Sequence, residues 1–135
     1  AVGSPLLIRY LNDVKYSFNS YTMNQLTLRL GVEAVRDEAY FRSTVDKIVK
    51  TREEAKRILG EMGFCFPESC SNFLFITHPR YRAKELYEAL KKEDIYVRHF
   101  SAARIDNYLR VTIGTDDEMA VLYDFLRRYA KRQNT

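Results

Sequence analysis

The sequence predicts an α/β fold of the α+β kind: long N-terminal helices, then strand–helix–strand–strand–helix, forming a small three-stranded sheet with helices packed on it. Three observations carry this expectation. Apolar residues recur at helical spacing up to about Met62, three short strand-like apolar segments follow, and amphipathic stretches separate and end them. A chain of 135 residues with 46% hydrophobic and 13% aromatic residues can bury a core, is too apolar for disorder, and is expected to form a single domain spanning residues 1–135.

Ser4 and Pro5 suit the start of the first helix, as N-cap and first-turn proline, and Leu6, Leu7, Tyr10 and Leu11 continue it. Tyr16 to Thr22, rich in Ser and Asn, reads as a loop. A second helix is expected from Met23 to Arg36, with Leu26, Leu30 and Ala34 on one face. A very long helix starts at Asp37 or Glu38. Its stripe is Phe41, Val45, Ile48, Val49, Ala55, Leu59 and Met62, Gly60 and Gly63 suit its end, and it is expected to run across or beside the sheet. Phe64 to Phe66 is a short apolar segment closed by Pro67, and Asn72 to Thr77 is a strand with a continuous apolar run. Arg82 to Lys92 is a helix, Ile95 to Phe100 a second strand, and Ser101 to Asn107 a loop. Tyr108 to Ile113 alternates as a third strand. Thr115 to Glu118 forms a capping box opening the last helix, which turns Met119, Leu122, Leu126 and Tyr129 inward.

Charge and cysteine usage narrow the function classes. The net charge of +4 equals the four cations Arg127, Arg128, Lys131 and Arg132, all in the last nine residues, where they suit a helix C-terminus; a nucleic-acid partner is not expected. No apolar run reaches the roughly 18 residues of a membrane span, so no membrane partner is expected. Cys65 and Cys70 are not spaced as a metal pair, and His78 and His99 stand apart from any nucleophile, so neither a metal site nor a catalytic triad is expected. No signal peptide opens the chain, which predicts a cytoplasmic location with reduced thiols. No glycine-rich phosphate loop is present, and no lysine lies in a short loop between strands where a Schiff base would be held, so no catalytic residue is assigned.

Two arginines on neighbouring strands stand out. Arg98 lies in Tyr96-Val97-Arg98-His99-Phe100. Arg110 lies in a strand whose Leu109, Val111 and Ile113 share one face, leaving Arg110 with Tyr108 and Thr112 on the other. A guanidinium can grip a carboxylate or phosphate through two parallel hydrogen bonds; the competing reading is a solvated arginine on a one-sided sheet.

The segment Tyr108-Leu109-Arg110-Val111-Thr112-Ile113-Gly114-Thr115-Asp116-Asp117-Glu118-Met119 resembles the C-terminal signature of histidinol-phosphate aminotransferases, pyridoxal-phosphate enzymes of the fold type I superfamily. Ala1 to Ile8 resembles the stretch after that family's cofactor-binding lysine and arginine motif, and Tyr16 to Thr22 its Tyr-Asn-rich crossing segment. The long helix, Gly60 to Phe66 and Asn72-Phe73-Leu74 follow in family order, and Val97-Arg98, about a dozen residues before Arg110, favours the histidinol-phosphate branch. The resemblance implies the C-terminal small domain of a larger, homodimeric aminotransferase of histidine biosynthesis, whose pyridoxal phosphate and Schiff-base lysine belong to an absent large domain. This chain alone would be inactive and would not hold the cofactor. It further implies that Arg110 and Arg98 bind the anionic group of histidinol phosphate, glutamate or 2-oxoglutarate, and that Asn19 lines the active-site entrance. Another class I/II aminotransferase, a threonine-phosphate decarboxylase, or a stand-alone ferredoxin-like small-molecule sensor built on the region from Asn72 onward are the alternatives.

Overall fold

A computed structural model describes residues 2–17 and 21–133 of the chain. They fall into two compact units, Ala1–Phe41 and Arg42–Thr135. No described helix is long and apolar enough to cross a membrane.

The first unit holds α1 (Pro5–Ser17), α2 (Gln25–Arg36) and the start of α3 (Glu38–Glu61). Side-chain oxygens open all three helices: Ser4 Oγ accepts from Leu7 N–H at 3.4 Å, Asn24 Oδ1 from Thr27 N–H at 2.8 Å, and Asp37 Oδ1 from Tyr40 N–H at 3.0 Å. Two expected boundaries move as a result. Asn24 is the cap, so α2 begins at Gln25 rather than Met23. Residues 16 and 17, expected in a loop, complete α1. Neither α1 nor α2 has a buried residue, and Leu6, Leu7, Leu11, Leu26, Leu30 and Phe41 are all exposed.

The second unit contains the rest of α3, then β1 (Phe73–Ile76), α4 (Ala83–Lys91), β2 (Arg98–His99), β3 (Leu109–Thr112) and α5 (Asp116–Gln133). The strands form one antiparallel sheet in the order β1-β3-β2. Leu74, Ile76, Leu109, Val111 and Ile113 point into a single core with Ala55 and Leu59 of α3, Leu86 and Leu90 of α4, and Met119, Leu122 and Phe125 of α5. Burying each aliphatic side chain contributes about 1.5–3 kcal/mol, so this one face holds the unit together. The 64–66 segment joins the sheet only through an isolated bridge, in which Cys65 and Thr77 exchange N–H···O bonds of 2.8 Å.

The helix ends place the strands. At the end of α3 the Phe64 N–H donates to Leu59 O (3.0 Å) and the Gly63 N–H to Gly60 O (2.9 Å), with Gly63 at φ 86°. This is a Schellman motif, and its apolar clasp is the buried pair Leu59 and Phe64. Gly60, also expected at the end, is the next-to-last residue of the helix and its carbonyl takes part in the motif. The end of α4 repeats the motif without glycine: Ile95 N–H donates to Leu90 O at 3.0 Å and Asp94 takes φ 57°. The clasp draws Ile95 down against the core, where Val97 also packs, and a groove of about 550 Å³ separates this stretch from β3. The second strand therefore shrinks from the expected Ile95–Phe100 to Arg98–His99.

Long-range caps complete the frame. Ala83 N–H, at the start of α4, donates to Asn107 Oδ1 (2.9 Å), while Thr77 Oγ1 donates to Asn107 O (2.7 Å). The buried Arg52 guanidinium donates to Ser71 O at 3.0 Å, tethering the turn before β1 to α3. His78 is buried, stacked on Tyr81 at 4.1 Å and edge-on to Phe64 at 4.8 Å. Its Nδ1 accepts from Arg80 N–H (3.1 Å), leaving the proton on Nε2 to face Met62 O at 3.3 Å.

Thr115 and Glu118 form the expected capping box: Glu118 N–H donates to Thr115 Oγ1 (3.3 Å), and Thr115 N–H donates to Glu118 Oε2 (2.7 Å). The Thr115 N–H bond, followed by one that the Thr115 hydroxyl donates to the same oxygen (3.0 Å), holds the Glu118 carboxyl below its ordinary value. A Cβ at Gly114 would lie 2.6 Å from that carboxylate oxygen and 3.1 Å from Glu118 Cβ. The carboxylate could swing away only by leaving the Thr115 N–H. Thr115→Ala should lower stability by about 1 kcal/mol in denaturant titration. Gly114→Ala should destabilise as well, with little further loss in the double variant because both act on one cap; an unchanged Gly114→Ala midpoint would contradict the packing argument.

Burial pushes the His78 pKa below the usual imidazole value of 6.5. A depressed folded pKa means that the stability of the neutral ring is present above about pH 6.5 and is lost as pH falls through the folded value. Denaturation midpoints measured between pH 7.5 and 5 should fall less steeply for His78→Phe than for the parent; parallel curves would rule out this linkage.

Candidate functional site

Strand alternation decides what each sheet face carries. With Leu109, Val111 and Ile113 committed to the core, Arg110 and Thr112 emerge on the opposite, open face, and both are exposed. β3 is central, so Arg110 has a neighbour on each side: Phe75 of β1 and Arg98 of β2 are its cross-strand partners. The two arginines expected to act together are thus directly opposite one another. Among the described residues neither forms an ion pair. Among the described residues Arg110 is not locked to a carboxylate, as a purely structural arginine would be.

The rest of the open face is aromatic. Phe75 stacks on Tyr108 with centroids 4.6 Å apart and planes 10° from parallel, and meets Phe100 edge-on at 5.9 Å. The Arg110 Cζ lies 5.3 Å from the Phe73 ring centre, and the Arg98 Cζ 5.6 Å from that of Phe100. A groove of about 400 Å³ beside the stack is lined by Phe75, Tyr108, Phe66, Ile105, Arg104 and Cys65, among others; Arg104 adopts φ 76°. Phe73 and Phe75 are the site residues that sequence reasoning missed. Read as a continuous apolar run, Phe-Leu-Phe-Ile suggests full burial, but the strand alternates half-buried and buried, with aromatics outward and aliphatics inward. That division by residue type was the available signal.

Other candidates are placed elsewhere. Asn19 lies outside the described residues. His99 contacts Asp106 O at 2.9 Å and stacks on Tyr87, away from His78, and Cys65 and Cys70 are exposed free thiols. Two of the C-terminal cations are held by carboxylates, Arg127 by Asp124 and Arg128 by Glu93. Lys56 is the one partly buried lysine among the described residues, and its ammonium sits 3.0 Å from Glu68 and 3.1 Å from Glu53. Hydrogen bonding to Glu68 first, then Glu53, raises its pKa, the reverse of what an amine needs to attack a carbonyl.

What this arrangement can do is hold a small anion against a flat aromatic surface. Comparisons with known proteins give the family. The chain is 47% identical over 131 residues to a histidinol-phosphate aminotransferase from Brachyspira hyodysenteriae and 44% identical over 133 residues to one from Lactococcus lactis subsp. cremoris. The matches take in 97% and 98% of this chain but 37% of each relative, so the chain spans just over a third of their length. The fold matches the solved histidinol-phosphate aminotransferase from Sinorhizobium meliloti in complex with pyridoxal-5'-phosphate. That match has a TM-score of 0.67 and 19% identity, over 87% of this chain and 34% of that one. The family model described as aminotransferase class I and II matches residues 1–126, and the chain with its arginine-bearing sheet belongs to that family.

Proposed function

We propose that this chain is the C-terminal small domain of a pyridoxal-phosphate-dependent histidinol-phosphate aminotransferase, and that Arg110 and Arg98 bind the anionic group of its substrates. The observation that carries the reading is the cross-strand arginine pair, exposed on an open sheet face without a carboxylate partner among the described residues. Two arginines paired across adjacent strands on one open face suit the phosphate of histidinol phosphate and equally the distal carboxylate of glutamate or 2-oxoglutarate. One anion site would then serve both half-reactions.

In this reading the arginines bind and orient, fixing the substrate's reactive end relative to groups on the rest of the enzyme. The cofactor supplies the electron sink when bound. Lys56, the one partly buried lysine among the described residues, is kept charged by two carboxylates and does not suit a Schiff base, so pyridoxal phosphate and its lysine are assigned to the part of the enzyme outside this chain. The exposed apolar faces of α1 and α2 support that division, because such surface is ordinarily covered by further protein. A homodimeric, cytoplasmic enzyme of histidine biosynthesis completes the proposal.

Two measurements test it. In the full-length enzyme, Arg110→Lys keeps the charge but loses the planar fork. It should lower kcat/KM for histidinol phosphate by about 2 kcal/mol, roughly thirtyfold; near-parent kinetics would remove Arg110 from the site. The isolated 135-residue chain should retain no pyridoxal phosphate on desalting and catalyse no transamination; stoichiometric retention would overturn the division of labour.

A further inference from the structure

Like charges directly opposite on adjacent strands destabilise a sheet. The usual relief is a neighbouring carboxylate, yet Arg98 and Arg110 have none among the described residues. Each lies instead over a phenylalanine ring, Arg110 over Phe73 at 5.3 Å and Arg98 over Phe100 at 5.6 Å. Phe73 sits in the row of Thr112, and Phe100 lies two residues past Arg98 in the opposite direction, toward Tyr108. The two cations are therefore drawn toward opposite ends of the open face. We propose that Phe73 and Phe100 are positioning residues for the arginine pair, holding the two guanidiniums apart with their N–H donors free for an incoming phosphate or carboxylate.

The choice of an aromatic partner has a chemical reason. A ring face attracts a cation through its quadrupole but accepts no strong hydrogen bond. A carboxylate would steady the same charge by occupying the donors the substrate needs, and would add a negative charge that repels it. Phe100 is itself fixed, edge-on to Phe75, which is stacked in turn on Tyr108. The order of support runs from the Phe75–Tyr108 stack to Phe100, and from Phe100 to Arg98.

This inference rests on the reading of Arg98 and Arg110 as the anion-binding pair, and the test separates the two claims. In the full-length, cofactor-loaded enzyme, Phe73→Leu and Phe100→Leu are compared with Phe73→Tyr, Phe100→Tyr, Arg98→Lys and Arg110→Lys. The readouts are KM and kcat for histidinol phosphate, the inhibition constant of inorganic phosphate, and the thermal midpoint. Each Leu variant should raise both KM and the phosphate inhibition constant about fivefold while kcat stays within about twofold, and each Tyr variant should restore them. If the Lys variants weaken phosphate binding and the Leu variants do not, positioning by the rings is wrong and the anion site stands. Should the Lys variants leave KM and phosphate inhibition unchanged, the anion-site reading falls, and the positioning role with it. Equal loss in the Leu and Tyr variants, tracking the thermal midpoint, would make the rings merely structural. Should Phe73→Leu fail to fold, Phe100→Leu beside the edge strand carries the test alone.

Discussion

β3 is held on both sides by antiparallel pairing, and the rest of the second unit is arranged around that constraint. With Leu74 opposite Val111 and Ile76 opposite Leu109, the aliphatic residues of two strands meet on one face and give α3, α4 and α5 a surface to cover. The same register obliges Arg110 to face the other way and sets it between Phe75 and Arg98. A slip of one residue would send the arginine into the core and the valine to water, so core burial enforces the geometry of the open face.

Much of this was legible because the local signals are strong. The 3.6-residue stripes, the Thr115–Glu118 box and Gly63 at the end of α3 each act through near neighbours, and each appears where its residues predict. The errors arose where a distant or unusual partner decides the outcome. Asp94 closes α4 in a left-handed conformation usually given to glycine, and the resulting clasp of Leu90 with Ile95 pulls the chain off the sheet, shortening β2. The start of α4 is satisfied by Asn107, 24 residues away, which no local pattern reveals.

The candidate site divides in the same way. Arg110 was identifiable from alternation, and Arg98 from its position in a neighbouring apolar segment. Their aromatic supports were not. Phe73 and Phe75 look like core in a four-residue apolar run, and only the pairing with β3 assigns them to the open face. Asn19 falls outside the described residues. The exposed apolar stripes of α1 and α2 have the periodicity of buried helices, but their cover is not in this chain's described structure. Periodicity says that a face is to be buried; it does not say against what.

If the open face is the anion site of an aminotransferase, the most direct observation is the position of the substrate's own charge. A structure of the full-length enzyme with histidinol phosphate bound should place the phosphate oxygens about 2.7–2.9 Å from guanidinium nitrogens of both Arg98 and Arg110, the range of a charge-assisted hydrogen bond. A phosphate bound elsewhere, with both guanidiniums left in water over Phe73 and Phe100, would contradict the account.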